Sequence, residues 1–218
     1  MSSQGRRSGH DRGNGKLSSV QLLLIRHALP ELAEATVGRA DPSLTAEGRA
    51  QAERLPAALA PYRISALHSS PQKRAVETAA PVAAALNLPV TEHPGLVEYD
   101  FEDSHYIPFH EAAARNPEAY ARIKAGFLPE SVDADAFRAR VFGALADIAA
   151  AGDHDDTAAV FCHGGVVNIV AQELLGLERP MTFPVEYTSI SRVLISRNGN
   201  KRLASVNETG HVRDMLRV

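Results

Sequence analysis

The sequence contains one cysteine, Cys162, among 218 residues. A single cysteine excludes a disulfide within the chain, and such a composition is typical of proteins in a reducing compartment, so we expect a cytoplasmic location. Unpaired cysteines most often pack in the core as small hydrophobic residues. We therefore predict that Cys162 is buried and has no chemical role.

The sequence also lacks a long apolar run and a strong excess of charge. No apolar stretch is long enough to cross a bilayer, and the first 19 residues lack the apolar centre of a signal peptide. The net charge of −3 provides no global attraction to nucleic acid or to an anionic membrane. We expect neither partner, and the sequence leaves the oligomeric state open, a homodimer included.

What is present indicates one α/β domain. Hydrophobic residues make up 44% of the chain and charged residues 22%, as in ordinary globular proteins. Residues 1–19 are rich in Ser, Gly and Arg and are predicted to form a disordered tail, which leaves residues 20–218 as a single domain.

Strands and helices alternate after this tail. Apolar runs predict strands at 20–27, 64–70 and 156–163, a short strand near 88–94 and a hairpin around the Asn-Gly-Asn turn at 198–200. Helical patterns occupy 44–60, 70–86, 109–124, 134–151 and 166–177. This order predicts a three-layer α/β/α sandwich with a mostly parallel central sheet, a C-terminal antiparallel hairpin and a mainly helical insertion at about 96–151.

Residues that can carry chemistry stand where the predicted parallel strands end. Arg26 and His27 end the first strand, and His163 ends a later strand just before a glycine pair. Arg74 lies in the first turn of the helix after the second strand. Ligands of parallel sheets bind beyond the carboxyl ends of the strands, and arginine forks, helix N-termini and glycine amides all suit an oxyanion. The sequence therefore predicts a phosphate pocket at this edge.

A histidine in such a pocket can act as a nucleophile. Neutral imidazole attacks phosphorus to form phosphohistidine, and neighbouring cations stabilise the transferring group while favouring the neutral ring. A carboxylic acid must then protonate the leaving alkoxide. The segment after residue 96 supplies four candidates: Glu98, Asp100, Glu102 and Asp103.

Two other chemistries do not fit the spacing of the residues. A cysteine-dependent phosphatase needs an arginine after five intervening residues, and Asn168 stands at that distance from Cys162. The histidines show none of the spacings typical of metal ligands, so we expect no metal and no cofactor.

Several motifs resemble those of the histidine phosphatase superfamily, whose fold is phosphoglycerate mutase-like. "LLLIRHALPE" followed by "VGRADPSLTAEGRAQA" is similar to the opening of that family. "SSPQKRAVETA", "LVEYDF" and "VFCHGGVV" resemble its later arginine, acid and second histidine motifs. "YTSISRVLI" and "LASVNETGHV" resemble its closing hairpin, so the likeness extends from Leu22 to Val212 in the family's order.

The resemblance implies a role for each matching position. His27 would be the phosphorylated nucleophile and Glu98 the general acid. Four residues would hold the phosphoryl group: Arg26, Arg74, His163 and Gly164, the last through its backbone N–H. The implied activity is metal-independent hydrolysis of a small phosphorylated metabolite through phosphohistidine.

The chain departs from the family pattern at three places. Ala28 stands where the family has glycine, which is harmless provided that φ is negative there. Leu29 and Pro30 replace polar residues, so we expect a more apolar entrance to the site. The segment after Glu98 lacks the usual family ending, which leaves Glu102 as the alternative acid.

Residues near these motifs are candidates for the substrate pocket: Arg39, Glu102 and His105. An ion pair with a loop carboxylate would explain Arg39 equally well. The aromatic residues of the acidic segment indicate an apolar or aromatic leaving group: Tyr99, Phe101, Tyr106 and Phe109.

Two other functions fit the same motifs. A phosphoglycerate mutase would return the phosphoryl group to a sugar acid, but "EYDFEDSHYI" does not match the corresponding mutase segment. A non-catalytic protein could bind a phosphorylated ligand on the same scaffold, but such a protein has no need of an acid.

Overall fold

A computed structural model of the protein describes residues 19–153, 155–196 and 198–216. The strands are β1 (Ser19–Arg26), β2 (Ala33–Glu34), β3 (Ile64–Ser69), β4 (Val90–Glu92), β5 (His105–Tyr106), β6 (Thr157–Cys162), β7 (Ile190–Ser196) and β8 (Lys201–Glu208). The α-helices are α1 (Ala46–Ala52), α2 (Leu55–Leu59), α3 (Lys73–Leu86), α4 (Phe109–Arg115), α5 (Pro117–Lys124), α6 (Ala134–Ala151) and α7 (Gly164–Leu175). Short 3₁₀ helices occupy Pro94–Leu96 and Gly210–Met215.

Residues 1–18 of the predicted disordered tail lie outside the described residues. Ser19, which we placed in that tail, is instead the first residue of β1. It pairs with Ser196 of β7, so the sheet extends one residue further than the apolar run indicated.

The central sheet has six strands in the order β4-β3-β6-β1-β7-β8. The first four are parallel, β7 runs antiparallel to β1, and β8 runs antiparallel to β7. The predicted mostly parallel sheet with a C-terminal hairpin is therefore confirmed. Strands β2 and β5 form a separate antiparallel pair.

Helices cover both faces of this sheet, as the continuous apolar run of β1 requires. Leu22 and Leu24 point to one face, where they pack in a cluster with α6 and α7. Leu23 and Ile25 point to the other face and pack with α2 and α3. All four side chains are fully buried, and successive strand residues alternate between faces, so the predicted three-layer sandwich is confirmed. Within the described residues, no helix is long and apolar enough to cross a membrane.

Two predicted helices are each divided into two. The helix expected at 44–60 breaks between α1 and α2, and Pro56 lies in the first turn of α2. The helix expected at 109–124 breaks at Asn116, whose side chain accepts from Ala119 N–H, and Pro117 begins α5. Proline is tolerated in a first helical turn because its missing N–H has no helical acceptor there.

The start of α3 also differs from the sequence prediction. We expected Ser70 as the N-cap, but α3 begins at Lys73 and the cap residue is Gln72. The Asp41 carboxylate accepts from Lys73 N–H at 3.0 Å, so an acid from another segment satisfies one of the free amides. Arg74 remains in the first turn of α3, and the Ser70 hydroxyl accepts from the N–H of the cap residue Gln72 at 3.4 Å.

The start of α1 holds the segment that follows His27, which gives a stability test. Thr45 Oγ1 accepts from Gly48 N–H at 2.8 Å and donates to Leu29 O at 3.1 Å. Replacing Thr45 by Ala should lower the free energy of unfolding by about 1 kcal/mol, as loss of an N-cap usually does. Urea unfolding measures this change. Thr45→Ser keeps the hydroxyl and is the matched control; equal losses in both variants would show that the cap is not responsible.

Candidate active site

The parallel pairing of β1 with β6 brings two histidines side by side. Arg26 is the register partner of Cys162, so the next residue of each strand, His27 and His163, leaves the sheet at the same point. His27 N–H donates to Cys162 O at 2.9 Å, and the two imidazole centroids are 5.1 Å apart. The structure thus brings together the two histidines that sequence reasoning placed at strand ends.

The His27 imidazole is held neutral and in one tautomer. Burial lowers its pKa well below the ordinary value, and the charges of Arg74 and Arg26 lower it further. Its Nδ1 lies 2.8 Å from Ala28 O, and a carbonyl oxygen can only accept, so Nδ1 carries the proton. Nε2 therefore keeps its lone pair, which is the form that a nucleophile needs.

Positively charged and polar nitrogen atoms surround this ring without partners of their own. Arg74 is fully buried, and so is His163. Four nitrogen atoms of the described residues are buried here with no hydrogen-bond partner: Arg26 Nε, Arg74 Nε, Arg74 Nη1 and His163 Nδ1. Buried polar groups are nearly always paired because leaving them unpaired is costly, so this cluster fits an anion with several oxygen atoms.

Other contacts orient the same side chains. The Arg26 guanidinium lies 3.9 Å from the centroid of the Tyr187 ring, and the Arg74 guanidinium lies 4.4 Å from that of Tyr106. Arg74 Nη2 also donates to Asp100 Oδ1 at 3.3 Å. Arg26 Nη1 donates to Val185 O at 2.5 Å. Each arginine is thus fixed by an aromatic face and one hydrogen bond, while Arg26 Nε, Arg74 Nε and Arg74 Nη1 stay available.

The turn before β7 places the Tyr187 ring against the side chains of Arg26 and His27. Thr188 has a left-handed backbone conformation, with φ at 56°, and its N–H donates to Arg26 O at 3.1 Å. The Tyr187 ring centroid lies 5.7 Å from that of His27. This turn therefore fixes both the backbone and the side chain of the pair at the end of β1.

Ser70, which we expected to cap α3, instead contacts the His163 ring and fixes its orientation. Ser70 Oγ lies 2.8 Å from His163 Nε2, and both side chains are buried. Burial lowers the pKa of His163 well below its ordinary value, with further lowering by Arg74 and His27. His163 is therefore neutral, like His27.

Glu98 is a buried carboxyl whose pKa lies near neutral pH. Its Oε2 accepts from Gly165 N–H at 2.8 Å and its Oε1 from Tyr99 N–H at 3.0 Å. The pKa of Glu98 is raised to about 7, mainly by burial and further by the charge of Asp100. The hydrogen bonds from the two amides and the charge of Arg74 act in the opposite direction and lower it. A carboxyl of this pKa exists in both protonation states near neutral pH and can act as an acid and a base.

The glycine pair at the start of α7 admits these contacts. A Cβ at Gly165 would overlap the carboxylate of Glu98 and the ring of Tyr99, so only glycine allows the acid to reach the helix N-terminus. Helix α7 begins at Gly164, two residues earlier than predicted, and the N–H of Gly164 has no acceptor within the helix.

These residues lie at one end of a cavity of about 400 Å³. Arg26, His27, Arg74, Glu98 and Gly164 line it, whereas His163 lies buried behind His27. The predicted catalytic and phosphate-binding residues are therefore brought together.

The three candidates for the substrate pocket are not brought to this cavity. Arg39 is exposed and lies over the Phe101 ring, 4.0 Å from its centroid. His105 is exposed and pairs with Glu34, with 3.3 Å between Nε2 and Oε1. Glu102 is exposed as well, so Glu98 rather than Glu102 is the carboxyl beside His27.

The departures at positions 28–30 prove to be structural. Ala28 is not among the described residues with positive φ, so alanine is unstrained there, and its N–H donates to Thr78 Oγ1 at 2.9 Å. Leu29 and Pro30 are buried but do not line the cavity, which corrects our expectation that they make its entrance apolar. Leu29 N–H donates instead to Gln51 Oε1 at 2.9 Å.

Cys162 is fully buried, as predicted. Burial raises the pKa of its thiol far above the ordinary value. A thiol in this state is not a nucleophile, which agrees with the spacing argument made from the sequence.

Sequence reasoning missed three contributors to the site: Asp100, Ser70 and Tyr187. Asp100 was one of four acids in a segment without a clear period, and nothing marked it as the partner of Arg74. Ser70 carried a capping signal that pointed elsewhere. Tyr187 had no signal beyond its place before a predicted strand, since its contact with Arg26 spans most of the chain.

Comparison with known proteins places this site in a family. The sequence model of the histidine phosphatase superfamily (branch 1) matches residues 22–209. A bifunctional protein of Mycobacterium tuberculosis is 41% identical over 106 residues, which are 47% of this chain and 29% of that protein. The chain thus spans less than a third of that relative's length.

Two further proteins match over nearly the whole chain. A putative phosphoserine phosphatase 2 of Hydrogenobacter thermophilus is 26% identical over 208 residues, covering 89% of this chain and 98% of that protein. The native structure of a mycobacterial glucosyl-3-phosphoglycerate phosphatase superposes with a TM-score of 0.70 at 20% identity, covering 87% of this chain and 99% of the other. This structural similarity shows that the two proteins share a fold.

The raised pKa of Glu98 predicts how stability depends on pH. Between its ordinary value of 4.5 and about 7, the folded protein binds more protons at this carboxyl than the unfolded chain does. The contribution of Glu98 to stability therefore falls as the pH rises through this range. Glu98→Gln, which resembles the protonated acid, should gain stability relative to wild type from about pH 5 to about pH 8, by on the order of 2 kcal/mol.

Denaturant unfolding at several pH values measures this difference. Glu53→Gln, at an exposed carboxylate, controls for the loss of one acidic group and should follow the wild-type profile. Parallel profiles for Glu98→Gln and wild type would contradict the assigned state of Glu98.

Proposed function

The chain belongs to the histidine phosphatase superfamily, and from that membership and the site geometry we propose that it hydrolyses phosphomonoesters through a phosphohistidine at His27. The substrate is a small phosphorylated molecule, and the reaction needs no metal ion.

The observation that carries this proposal is the cluster of unpartnered nitrogens around His27. Arg26 and Arg74, which line the cavity, and His163, which lies beside His27, have four buried nitrogen atoms without a hydrogen-bond partner. A phosphoryl group offers several anionic oxygens, and arginine forks match their geometry. Such donors also stabilise the charge that is spread over the equatorial oxygens during phosphoryl transfer.

The first step transfers the phosphoryl group to the enzyme. His27 Nε2 attacks phosphorus with its lone pair, and the bond from phosphorus to the ester oxygen breaks. Protonated Glu98 gives its proton to that oxygen, so the alcohol leaves neutral. Arg26, Arg74 and the Gly164 N–H hold the phosphoryl oxygens throughout.

The second step releases phosphate. Glu98, now a carboxylate, takes a proton from a water molecule as the water attacks phosphorus, and the bond between phosphorus and Nε2 breaks. Inorganic phosphate leaves, and His27 and Glu98 return to their starting states. One carboxyl can serve both steps because its pKa is about 7.

Two observations favour hydrolysis over the alternative functions. A purely binding protein has no need of a buried carboxyl with a pKa near neutrality beside a neutral histidine. Relatives that match along most of the chain carry phosphatase names, among them the protein of Hydrogenobacter thermophilus, which supports hydrolysis rather than mutase transfer.

Loss of the nucleophile should abolish turnover. His27→Ala should lower kcat on p-nitrophenyl phosphate, assayed without added metal, by at least about 1,000-fold, because groups that act as a unit lose most of their effect together. Wild type quenched during turnover of ³²P-labelled substrate should carry an acid-labile label that the variant lacks. A label that persists without His27 would show that another residue is the nucleophile.

The role of Glu98 predicts a dependence on the leaving group. Glu98→Gln should lower kcat/KM for an alkyl phosphate by about 100- to 10,000-fold, because an alkoxide needs a proton to leave. The loss on p-nitrophenyl phosphate should be much smaller, since p-nitrophenolate leaves without help. In wild type, kcat/KM for the alkyl ester should fall above about pH 7 as Glu98 ionises. Equal losses on both substrates would contradict the acid role.

A further inference from the structure

The cavity has two parts of different character. Beyond the cationic end lies a part that we call the apolar chamber, with walls from helices α4 and α5 and from the segment before β7. Six of its residues define these walls: Ile107, Phe109, Tyr120, Ile123, Met181 and Phe183. Two of them, Phe109 and Tyr120, lie with ring centroids 5.1 Å apart.

Two polar side chains that line the cavity, Asn168 and Thr182, are engaged in the fold. Asn168 Nδ2 donates to Gly164 O and Phe183 O, both at 3.0 Å, and its Oδ1 accepts from Phe183 N–H at 2.8 Å. Thr182 Oγ1 donates to Arg179 O at 2.8 Å. These groups hold the segment before β7 in place and are not directed to recognition of a hydroxyl or a carboxylate.

The charged residues that line the cavity fall into two groups. Arg26, Arg74, Glu98 and Asp100 lie at the catalytic end. Lys124 is exposed on α5 and lies 5.7 Å from the Tyr120 ring centroid. Apart from Lys124 and the Tyr120 hydroxyl, the chamber walls therefore offer a substrate contact mainly with carbon atoms.

The size of the cavity fits the same conclusion. A volume of about 400 Å³ lies in the range of pockets that enclose whole organic ligands. A phosphoryl group with a short polar alcohol would leave most of the apolar wall in contact with water. A larger carbon skeleton would remove that surface from water and gain free energy in proportion to its area.

We propose that the preferred substrates are phosphomonoesters of apolar alcohols, alkyl or aryl, whose carbon skeleton fills the apolar chamber. This inference rests on the proposed function, since it concerns the leaving group of that same reaction. It sets this chain apart from a phosphatase for phosphoserine or a sugar acid, whose substrate bears charged or hydroxyl groups that these walls do not match.

A series of n-alkyl phosphates from ethyl to hexyl tests the proposal directly. These alcohols differ little in acidity, so the chemical step is nearly constant along the series. The value of kcat/KM should rise by roughly three- to fourfold per added methylene until the chamber is filled, as expected for burial of a CH₂ group. O-phosphoserine and glycerol 3-phosphate should be poorer substrates than butyl phosphate.

Variants of the wall locate the effect. Ile123→Ala and Phe183→Ala remove apolar surface from two different segments and should reduce the rise in kcat/KM per methylene. Leu175→Ala, at a half-exposed leucine on α7 outside the cavity, is the matched control and should keep the wild-type slope. A flat series in wild type, or a preference for phosphoserine over pentyl phosphate, would overturn the inference.

Binding of alkylphosphonates separates this inference from the proposed function. These compounds cannot be hydrolysed, and calorimetry should show an affinity that increases with chain length. Tighter binding of the longer phosphonates without any hydrolysis of the phosphates would refute the proposed function and leave the chamber's preference standing. Hydrolysis with no dependence on chain length in either assay would do the reverse.

Discussion

The parallel register of β1 and β6 is the constraint on which the site depends. Because Arg26 lies beside Cys162, the next residue on each strand emerges at the same point, and both of those residues are histidines. β1 is also buried on both faces and paired on both edges, so its end cannot shift without disturbing the core. The position of His27 is therefore set by the most rigid part of the sheet.

Burial has opposite effects on the pKa values of the histidine and the carboxyl at the site, and both effects suit the reaction that we propose. It lowers the pKa of His27 and raises that of Glu98, so the histidine is neutral when the acid is protonated. The guanidinium of Arg74 strengthens the first effect and weakens the second. The pKa of Glu98 is raised because the effect of desolvation is larger than the effect of the Arg74 charge. This desolvation follows from the position of the carboxyl, which is buried against the N–H groups of Gly165 and Tyr99.

Sequence reasoning located the parts of the site that depend on local rules. The ends of apolar strands marked His27 and His163. Arg74 was found although the predicted cap of its helix was wrong, because the cap moved by only two residues, from Ser70 to Gln72. Side chains alternate along β5, so His105 points outward, away from the pocket we predicted for it, and Tyr106 points inward. Contacts between distant segments, such as Tyr187 on Arg26, leave no trace in local pattern.

Helices α4 and α5 contain no buried residue, although they form part of the chamber wall. Substitutions in α4 and α5 leave the hydrophobic core intact, because the core clusters are built from other segments. If the chamber selects the substrate as we propose, catalytic geometry and substrate choice are encoded in separable stretches of chain. A lineage with this architecture can acquire new substrates through changes in two surface helices, while selection for folding keeps the phosphoryl-transfer machinery unchanged.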